Sequence, residues 1–392
     1  MNRYGNPRIS ILRQLKIPGC PARLKPVRLF YFQFHYNQGD MREIKIDKNS
    51  TGKRLDKFLG SYFTECSMGF LFKMLRKKNI TLNGKKASGK EALKEGDVIS
   101  VFFSDETFYK FANKHVNIYD TGSAANNTAT EYERAFAKFG DLEIIYEDES
   151  ILLLNKPCGI LSQKSEAKDL SINEWLIGYL LNQGDISKES LATFRPSVCN
   201  RLDRNTSGLL ICSKSLPGAR KMAELLKDRT LHKYYRTIVV GNIVSDSHLS
   251  GYLFKDKKTN KVVLTDTKPN DEQNNLYSPV KTSFKVLGHG ALYISDKKTI
   301  LTELEVLLHT GKTHQIRAHL SSEGHPLIGD TKYGNEQTNK IIKSEFGLKY
   351  QLLHSSRLEF PVMDDDFSYL SGKIFEAELP AIYSNIKFKL FS

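Results

Sequence analysis

The sequence is short of the residues that staple a fold or span a bilayer. Its five cysteines, Cys20, Cys66, Cys158, Cys199 and Cys212, are scattered and odd in number, and no two form a Cys-x-x-Cys pair. That excludes a disulfide framework and the common zinc patterns. It suits a reducing compartment, so a cytoplasmic location is expected. No apolar run reaches the length of a membrane span, so no membrane partner is expected. No internal repeat is present. Acid is in deficit: 44 Asp and Glu stand against 58 Lys and Arg, a formal charge of +14. Such a charge favours a polyanionic partner. Residues 1–40 alone carry +6, from seven basic residues and one acid, which leaves +8 for the remainder. On a body that large, +8 supports binding of such a partner only weakly.

What is present divides into parts, and 392 residues suit two or three domains. Residues 1–40 are basic, with Pro18, Pro21 and Pro26 and an aromatic cluster at 30–36. Their basic, acid-poor bias is shared by organellar transit peptides, but serines are few. The reading adopted is a non-native or disordered extension, with natural translation starting at Met41. Residues 42–103 form a compact α+β unit. Leu55, Phe58 and Leu59 mark one amphipathic helix, and residues 70–78 (FLFKMLRKK) mark another, apolar on one side and basic on the other. Ile80–Leu82 reads as a strand ending in an Asn83-Gly84 hairpin turn, and a last strand covers residues 98–103. This order resembles the RNA-binding fold named after ribosomal small-subunit protein four. The resemblance makes Lys73, Arg76, Lys77 and Lys78 its phosphate-facing surface. Met68-Gly69 stands where that fold often offers Ser-Arg, which implies a lighter grip. Residues 104–140 are rich in small and polar residues and read as a linker that lets the small unit reorient. In residues 141–392 strands and helices do not alternate regularly. A mixed, largely antiparallel sheet with packed helices is therefore expected, an α+β class. Trp175 falls at helical spacing with Ile172, Leu176, Tyr179 and Leu180 and reads as core.

Residues 200–215, NRLDRNTSGLLICSKS, carry the densest chemical information. Asp203 sits between Arg201 and Arg204, guanidinium groups that stabilise negative charge on a carboxylate. The apolar run 209–212 reads as a buried strand, so the carboxylate stands on a loop held by the core. A carboxylate so placed can serve as nucleophile or base. Competing motifs fail. Gly311-Lys312-Thr313 lacks the glycine that a phosphate loop needs five residues earlier, where Val306 stands. His309, His314, His319 and His325 are spaced by five and six residues, which does not put two imidazoles on one helical face, so no metal site is expected. No second acid is picked out to complete a glycosidase pair with Asp203.

The same segment resembles the signature of the RluA-type pseudouridine synthases. Further blocks match in order: residues 154–159 (LNKPCG), 233–241 (KYYRTIVVG), 310–320 (TGKTHQIRAHL), 325–334 (HPLIGDTKYG) and 353–361 (LHSSRLEFP). The resemblance covers residues 140–392 and implies a pseudouridine synthase catalytic domain. It implies isomerisation of uridine in RNA, without cofactor or metal, by an everted nucleotide. Asp203 would be the catalytic carboxylate, as nucleophile or as the base taking the 2′ proton. Arg317 would be its ion-pair partner. Tyr235 would pack on the uracil and help move the proton. Arg201 would fill the space the base vacates, and Lys233 and Lys312 would contact phosphates. Asn200 and Lys312 depart from the more common histidine and arginine, which bears on RNA contacts and not on the carboxylate. Truncating Arg317 is expected to cut the rate severely with only a modest loss of folding stability. A small RNA-binding unit joined to this body resembles family members acting on large-subunit ribosomal RNA, so that RNA is the expected partner. Transfer RNA, or a non-catalytic ribosome-assembly role, are the alternatives. A monomer is expected.

Overall fold

The chain is described by a computed structural model over residues 41–112, 130–255, 262–268, 276–294 and 297–391. The expectations for residues 1–40, and for most of the polar stretch 121–130, lie outside these described residues. The small unit opens with strand β1 (Met41–Lys45). Leu55, Phe58 and Leu59 bury one face of helix Leu55–Tyr62, as their spacing requires. Ser67 starts helix Met68–Arg76, its hydroxyl accepting the Phe70 N–H at 3.2 Å. Leu71, Met74 and Leu75 turn inward and leave Lys73 and Arg76 exposed. Strands β2 (Ile80–Leu82) and β3 (Lys85–Lys86) meet through Asn83 and Gly84, at φ 51° and 71°. Two left-handed residues give a turn whose twist matches a hairpin. Strand β4 (Val98–Phe102) completes the antiparallel order β1-β4-β2-β3.

The stretch expected to be a linker is not linker throughout. Ser104 caps helix Asp105–Phe111, which delivers Phe108 into the small unit's core. A reciprocal Thr130–Glu133 capping box starts helix Glu131–Phe139, which packs Ala135 against the larger body. Nor are the two parts held only by a tether. Lys53 Nζ donates to the Thr193 carbonyl at 2.7 Å, the Leu216 N–H donates to Asn49 Oδ1 at 3.2 Å, and Lys48 pairs with Glu149. Residues 40–392 therefore cluster as one unit.

The larger body is built on an 11-stranded sheet. Its strands are β5 (Ile144–Glu147), β6 (Ile151–Lys156), β7 (Ser197–Val198), β8 (Ser207–Ser213), β9 (His232–Val240) and β10 (Ser247–Lys255). Then come β11 (Val262–Thr265), β12 (Ser278–Ile294), β13 (Lys297–Leu308), β14 (Leu353–Glu359) and β15 (Ile374–Glu376). The order is β11-β10-β12-β13-β9-β14-β8-β6-β5, with β7 beside β8 and β15 beside β14. Every pairing is antiparallel except β8 with β14. The sheet is thus mixed and largely antiparallel, as the irregular succession of elements implied.

Strand β8 is buried along its whole length, and its alternation divides the core. Leu210 and Cys212 face the cluster holding Trp175 of helix Ile172–Gln183. Leu209 and Ile211 face Met222 and Leu225 of helix Leu216–Asp228. Each fully buried aliphatic side chain there contributes roughly 1.5–3 kcal/mol. The loop before β8 is therefore anchored to the most buried strand of the body. At its root Gly208 has φ 103°, and a Cβ there would lie 2.2 Å from the Ser355 carbonyl oxygen. Only glycine permits the parallel approach of β8 to β14. Among the described residues no helix is long and apolar enough to cross a membrane.

Candidate active site

Asp203 stands on the turn leading into β8, closed by the Thr206 N–H donating to the Asp203 carbonyl at 3.0 Å. Its neighbours fix that turn from three sides. Asn200 Oδ1 accepts the Ile211 N–H at 2.9 Å, tying the signature to its own strand. The Leu202 N–H donates to Ser162 Oγ at 3.1 Å. Lys156, at the end of β6, is 0% exposed and donates to the carbonyls of Pro157, Ile160 and Arg204 at 2.9, 3.0 and 3.1 Å. Burial pushes its ammonium down to about 8, against the opposing charges of Cys158 and Asp203.

The guanidinium partner of Asp203 comes from far along the chain. Arg317 Nη1 donates to Asp203 Oδ2 at 3.0 Å. Local reading had set Arg201 and Arg204 on either side of the carboxylate, but both are exposed and neither pairs with it among the described residues. Arg204 Nε donates instead to the Gly159 carbonyl at 3.2 Å. Adjacency in sequence thus did not become pairing in space.

Arg317 is held from behind. It lies on helix Gln315–Ser322, whose start is pinned by Gln315 Nε2 donating to the Lys281 carbonyl and to Thr282 Oγ1, both at 3.0 Å. Its Nε and Nη2 donate to the two oxygens of Asp330 at 2.7 and 2.9 Å, a bidentate pair. Asp330 Oδ1 also accepts the backbone N–H groups of Lys332 and Tyr333, at 2.9 and 3.1 Å. Arg317 is 5% exposed and Asp330 1%. Burial opposes charge on both, yet their mutual hydrogen bonds and attraction prevail. The guanidinium is raised above its ordinary range and the Asp330 carboxyl lowered below its own. The face of Arg317 lies 5.3 Å from the Tyr333 ring centre.

Tyr235 sits mid-strand on β9, opposite Val306 of β13 and Ser355 of β14. It is 4% exposed, and burial, with the charge of Asp203, pushes its phenol well up, so it stays protonated at neutral pH. Lys233 shares its face of β9 and is also buried, its ammonium pushed down by burial and by Arg229. Lys312 is exposed on the turn before helix Gln315–Ser322. Arg201 is exposed beside the Asp203 turn. Lys73, Arg76, Lys77 and Lys78 are all exposed on the small unit. Among the four histidines weighed as metal ligands, His314 reaches the site, its Nε2 3.9 Å from Asp203 Oδ2. The others serve the body: His309 Nε2 meets Ser283 Oγ, His319 Nδ1 meets Thr282 Oγ1, and His325 Nδ1 meets the Val240 carbonyl. Among the described residues no group of three or more His, Cys, Asp or Glu is arranged to hold a metal ion.

Sequence reasoning assigned no role to Lys156, Asp330 or Tyr333, and took His314 only with the other three histidines, as an RNA contact or an ordinary surface or core residue. Lys156, His314, Asp330 and Tyr333 all lay inside blocks singled out for their pattern, so the signal was present without a geometry to read it.

A family model described as RNA pseudouridylate synthase matches residues 150–322, the stretch that carries Lys156, Asp203, Tyr235 and Arg317. The chain is similar to this family, and the match together with the relatives below supports an RNA pseudouridine synthase. Among curated relatives, the ribosomal large subunit pseudouridine synthase C of Vibrio cholerae is 26% identical over 324 residues, covering 81% of this chain and 88% of its own. The protein of that name from Rickettsia bellii is 28% identical over 341 residues, covering 85% and 96%. The ribosomal large subunit pseudouridine synthase D of Yersinia pestis is 24% identical over 323 residues, covering 80% and 84%.

Proposed function

We propose that this protein converts uridine to pseudouridine in large-subunit ribosomal RNA, with Asp203 acting on the ribose of an everted nucleotide. The observation that carries the reading is the part-exposed Asp203 carboxylate, paired at 3.0 Å with a guanidinium whose other edge is locked to a buried acid. The reaction breaks the bond between the sugar's anomeric carbon and N1 of uracil and forms one to C5. The C5 proton leaves and N1 gains one, so atoms and electrons balance within the substrate. A carboxylate fixed at the sugar serves this chemistry as nucleophile at the anomeric carbon or as the base for the 2′ proton. Arg317, paired with that carboxylate at 3.0 Å, holds it in place. Tyr235, neutral and buried, packs against the uracil and helps relay away the proton that leaves C5, its hydroxyl passing its own proton on as it takes that one. Arg201, exposed beside the turn, fills the gap left by the extruded base, whose unstacking must be offset by contacts to the RNA. Lys312 contacts a backbone phosphate. Lys233, on the Tyr235 face of β9, contacts another.

Lys73, Arg76, Lys77 and Lys78 engage phosphates from the small unit, where shape and backbone select the RNA. The names of the relatives support the large-subunit target, and the enzyme acts as a cytoplasmic monomer. The test is incubation with transcribed large-subunit ribosomal RNA, followed by pseudouridine mapping through carbodiimide adducts. Wild-type protein is expected to mark discrete uridines and Asp203→Ala none, with RNA affinity retained. Equal marking by both proteins would remove Asp203 from the chemistry. Release of free uracil would point to a glycoside-cleaving enzyme instead.

A further inference from the structure

His314 is built as carefully as Asp203, although nothing in the reaction described so far uses it. It is a non-glycine residue in the left-handed region, φ 54°, immediately before helix Gln315–Ser322. A side chain in that conformation is held against its own backbone preference by its surroundings. Its ring is largely enclosed, packed edge-on to Tyr333 with centroids 5.6 Å apart. Its Nδ1 lies 3.0 Å from Tyr333 Oη, and its Nε2 lies 3.9 Å from Asp203 Oδ2.

The direction of these hydrogen bonds follows from a third contact. The Val262 N–H donates to Tyr333 Oη at 2.9 Å. A backbone N–H can only donate, so it takes a lone pair of the phenol oxygen. The arrangement that leaves no proton unpaired then sends the phenol hydrogen to His314 Nδ1. With Nδ1 accepting, a neutral imidazole must carry its hydrogen on Nε2, the nitrogen facing Asp203. Burial favours the neutral ring. A separation of 3.9 Å is too long for a hydrogen bond between Nε2 and the carboxylate. It is the right span for one hydroxyl oxygen that accepts from Nε2–H and donates to Oδ2.

We propose that His314 is a substrate-contacting residue, whose Nε2–H, fixed in that tautomer by Tyr333, binds a ribose hydroxyl of the target nucleotide jointly with Asp203. Its role is to orient the sugar on the carboxylate, and its proton stays on the ring throughout the reaction. The inference rests on the reading of Asp203 as the group that acts on the sugar.

The tests use full-length protein, transcribed large-subunit ribosomal RNA and single-turnover conditions with excess enzyme. His314→Ala is expected to slow pseudouridine formation by about ten- to a hundredfold, with RNA affinity and melting temperature nearly unchanged. His314→Gln, whose amide offers an N–H at similar reach, is expected to recover most of the rate. Tyr333→Phe removes the tautomer lock, so it should slow the wild-type background by about threefold or more and leave the His314→Gln background unaffected. The nitrogen shifts of labelled histidine read the tautomer directly, and a hydrogen on Nδ1 would overturn the assignment. So would Gln and Ala variants that are equally slow, or a loss confined to RNA affinity. If the wild type itself formed no pseudouridine, the functional reading would fall and this inference with it. A slow Gln variant beside an active wild type would sink the His314 role alone.

Discussion

Replacing Asp330 by alanine tests the reasoning behind the site at its most buried point. The carboxylate receives two guanidinium N–H groups and two backbone N–H groups, and both members of the ion pair are almost wholly enclosed. Removing one partner of such a pair typically costs about 3–5 kcal/mol, because the other is left as an uncompensated buried charge. Here Arg317 keeps a second anion, Asp203, at 3.0 Å, whose side chain is 27% exposed and so stabilises the guanidinium only in part. The expected loss is therefore near the lower end, about 3 kcal/mol. The lone tryptophan, Trp175, is fully buried in the main core and reports unfolding without interference. Urea titrations at pH 7 followed by its fluorescence give the difference directly.

Arg317→Ala strands Asp330 in the same way. The modest folding loss expected from the sequence for that change is accordingly replaced by one of similar size. A double variant, Asp330→Ala with Arg317→Ala, should cost clearly less than the sum of the two. Because the Asp330 carboxyl is held below its ordinary 3.8, the stability it contributes is present above that value and fades as pH falls through the lower folded one. The gap between wild type and Asp330→Ala should thus close in acid. Additive single costs, or an Asp330→Ala penalty under about 1 kcal/mol, would refute the buried-pair account.

Three further outcomes are expected. Gly208→Ala should cost about 3 kcal/mol or more and abolish activity, since its Cβ would stand 2.2 Å from the Ser355 carbonyl oxygen at φ 103°; a wild-type urea midpoint would contradict it. His354 is buried, its Nδ1 lies 2.9 Å from Ser207 Oγ, and it is pushed by burial from 6.5 to about 4. The unfolded chain therefore takes up its proton first on acidification, and stability should fall by about 2 kcal/mol between pH 7 and pH 5 from this group. A ring found protonated at pH 5 by NMR in the folded protein would rule that out. Replacing Lys73, Arg76, Lys77 and Lys78 together by alanine should lower the slope of log Kd against log salt by about 3 while sparing the chemical step. An unchanged slope would exclude the small unit as a phosphate-binding surface.

The parts legible in the sequence were those whose cause is local. Strand β8 announced itself because Leu209, Leu210, Ile211 and Cys212 have nowhere to go but a two-sided core. The Asn83-Gly84 turn was readable because few residue pairs tolerate two consecutive left-handed conformations. The two helices inside the expected linker were missed for the opposite reason. Small and polar residues dominated the stretch, although Thr130 and Glu133 already spelled the capping box that starts one of them.

Non-local chemistry was harder still. Asp203 has arginines on both sides in sequence, yet its partner stands 114 residues away, and only the family resemblance pointed there. Lys156 shows the limit most plainly. Composition counts it as one more surface charge, whereas the fold buries it completely and spends its three donors on carbonyls that hold the Asp203 loop. Hydrophobic periodicity detects faces that leave water because they are apolar, and it is blind to charged groups that leave water because partners await them. Lys156, Arg317 and Asp330 are buried charges of that second kind, and together they surround the one carboxylate left partly open. A site whose supports are all of this type stays invisible to pattern reading until distance is known, which is where local rules are expected to fail in a functional fold.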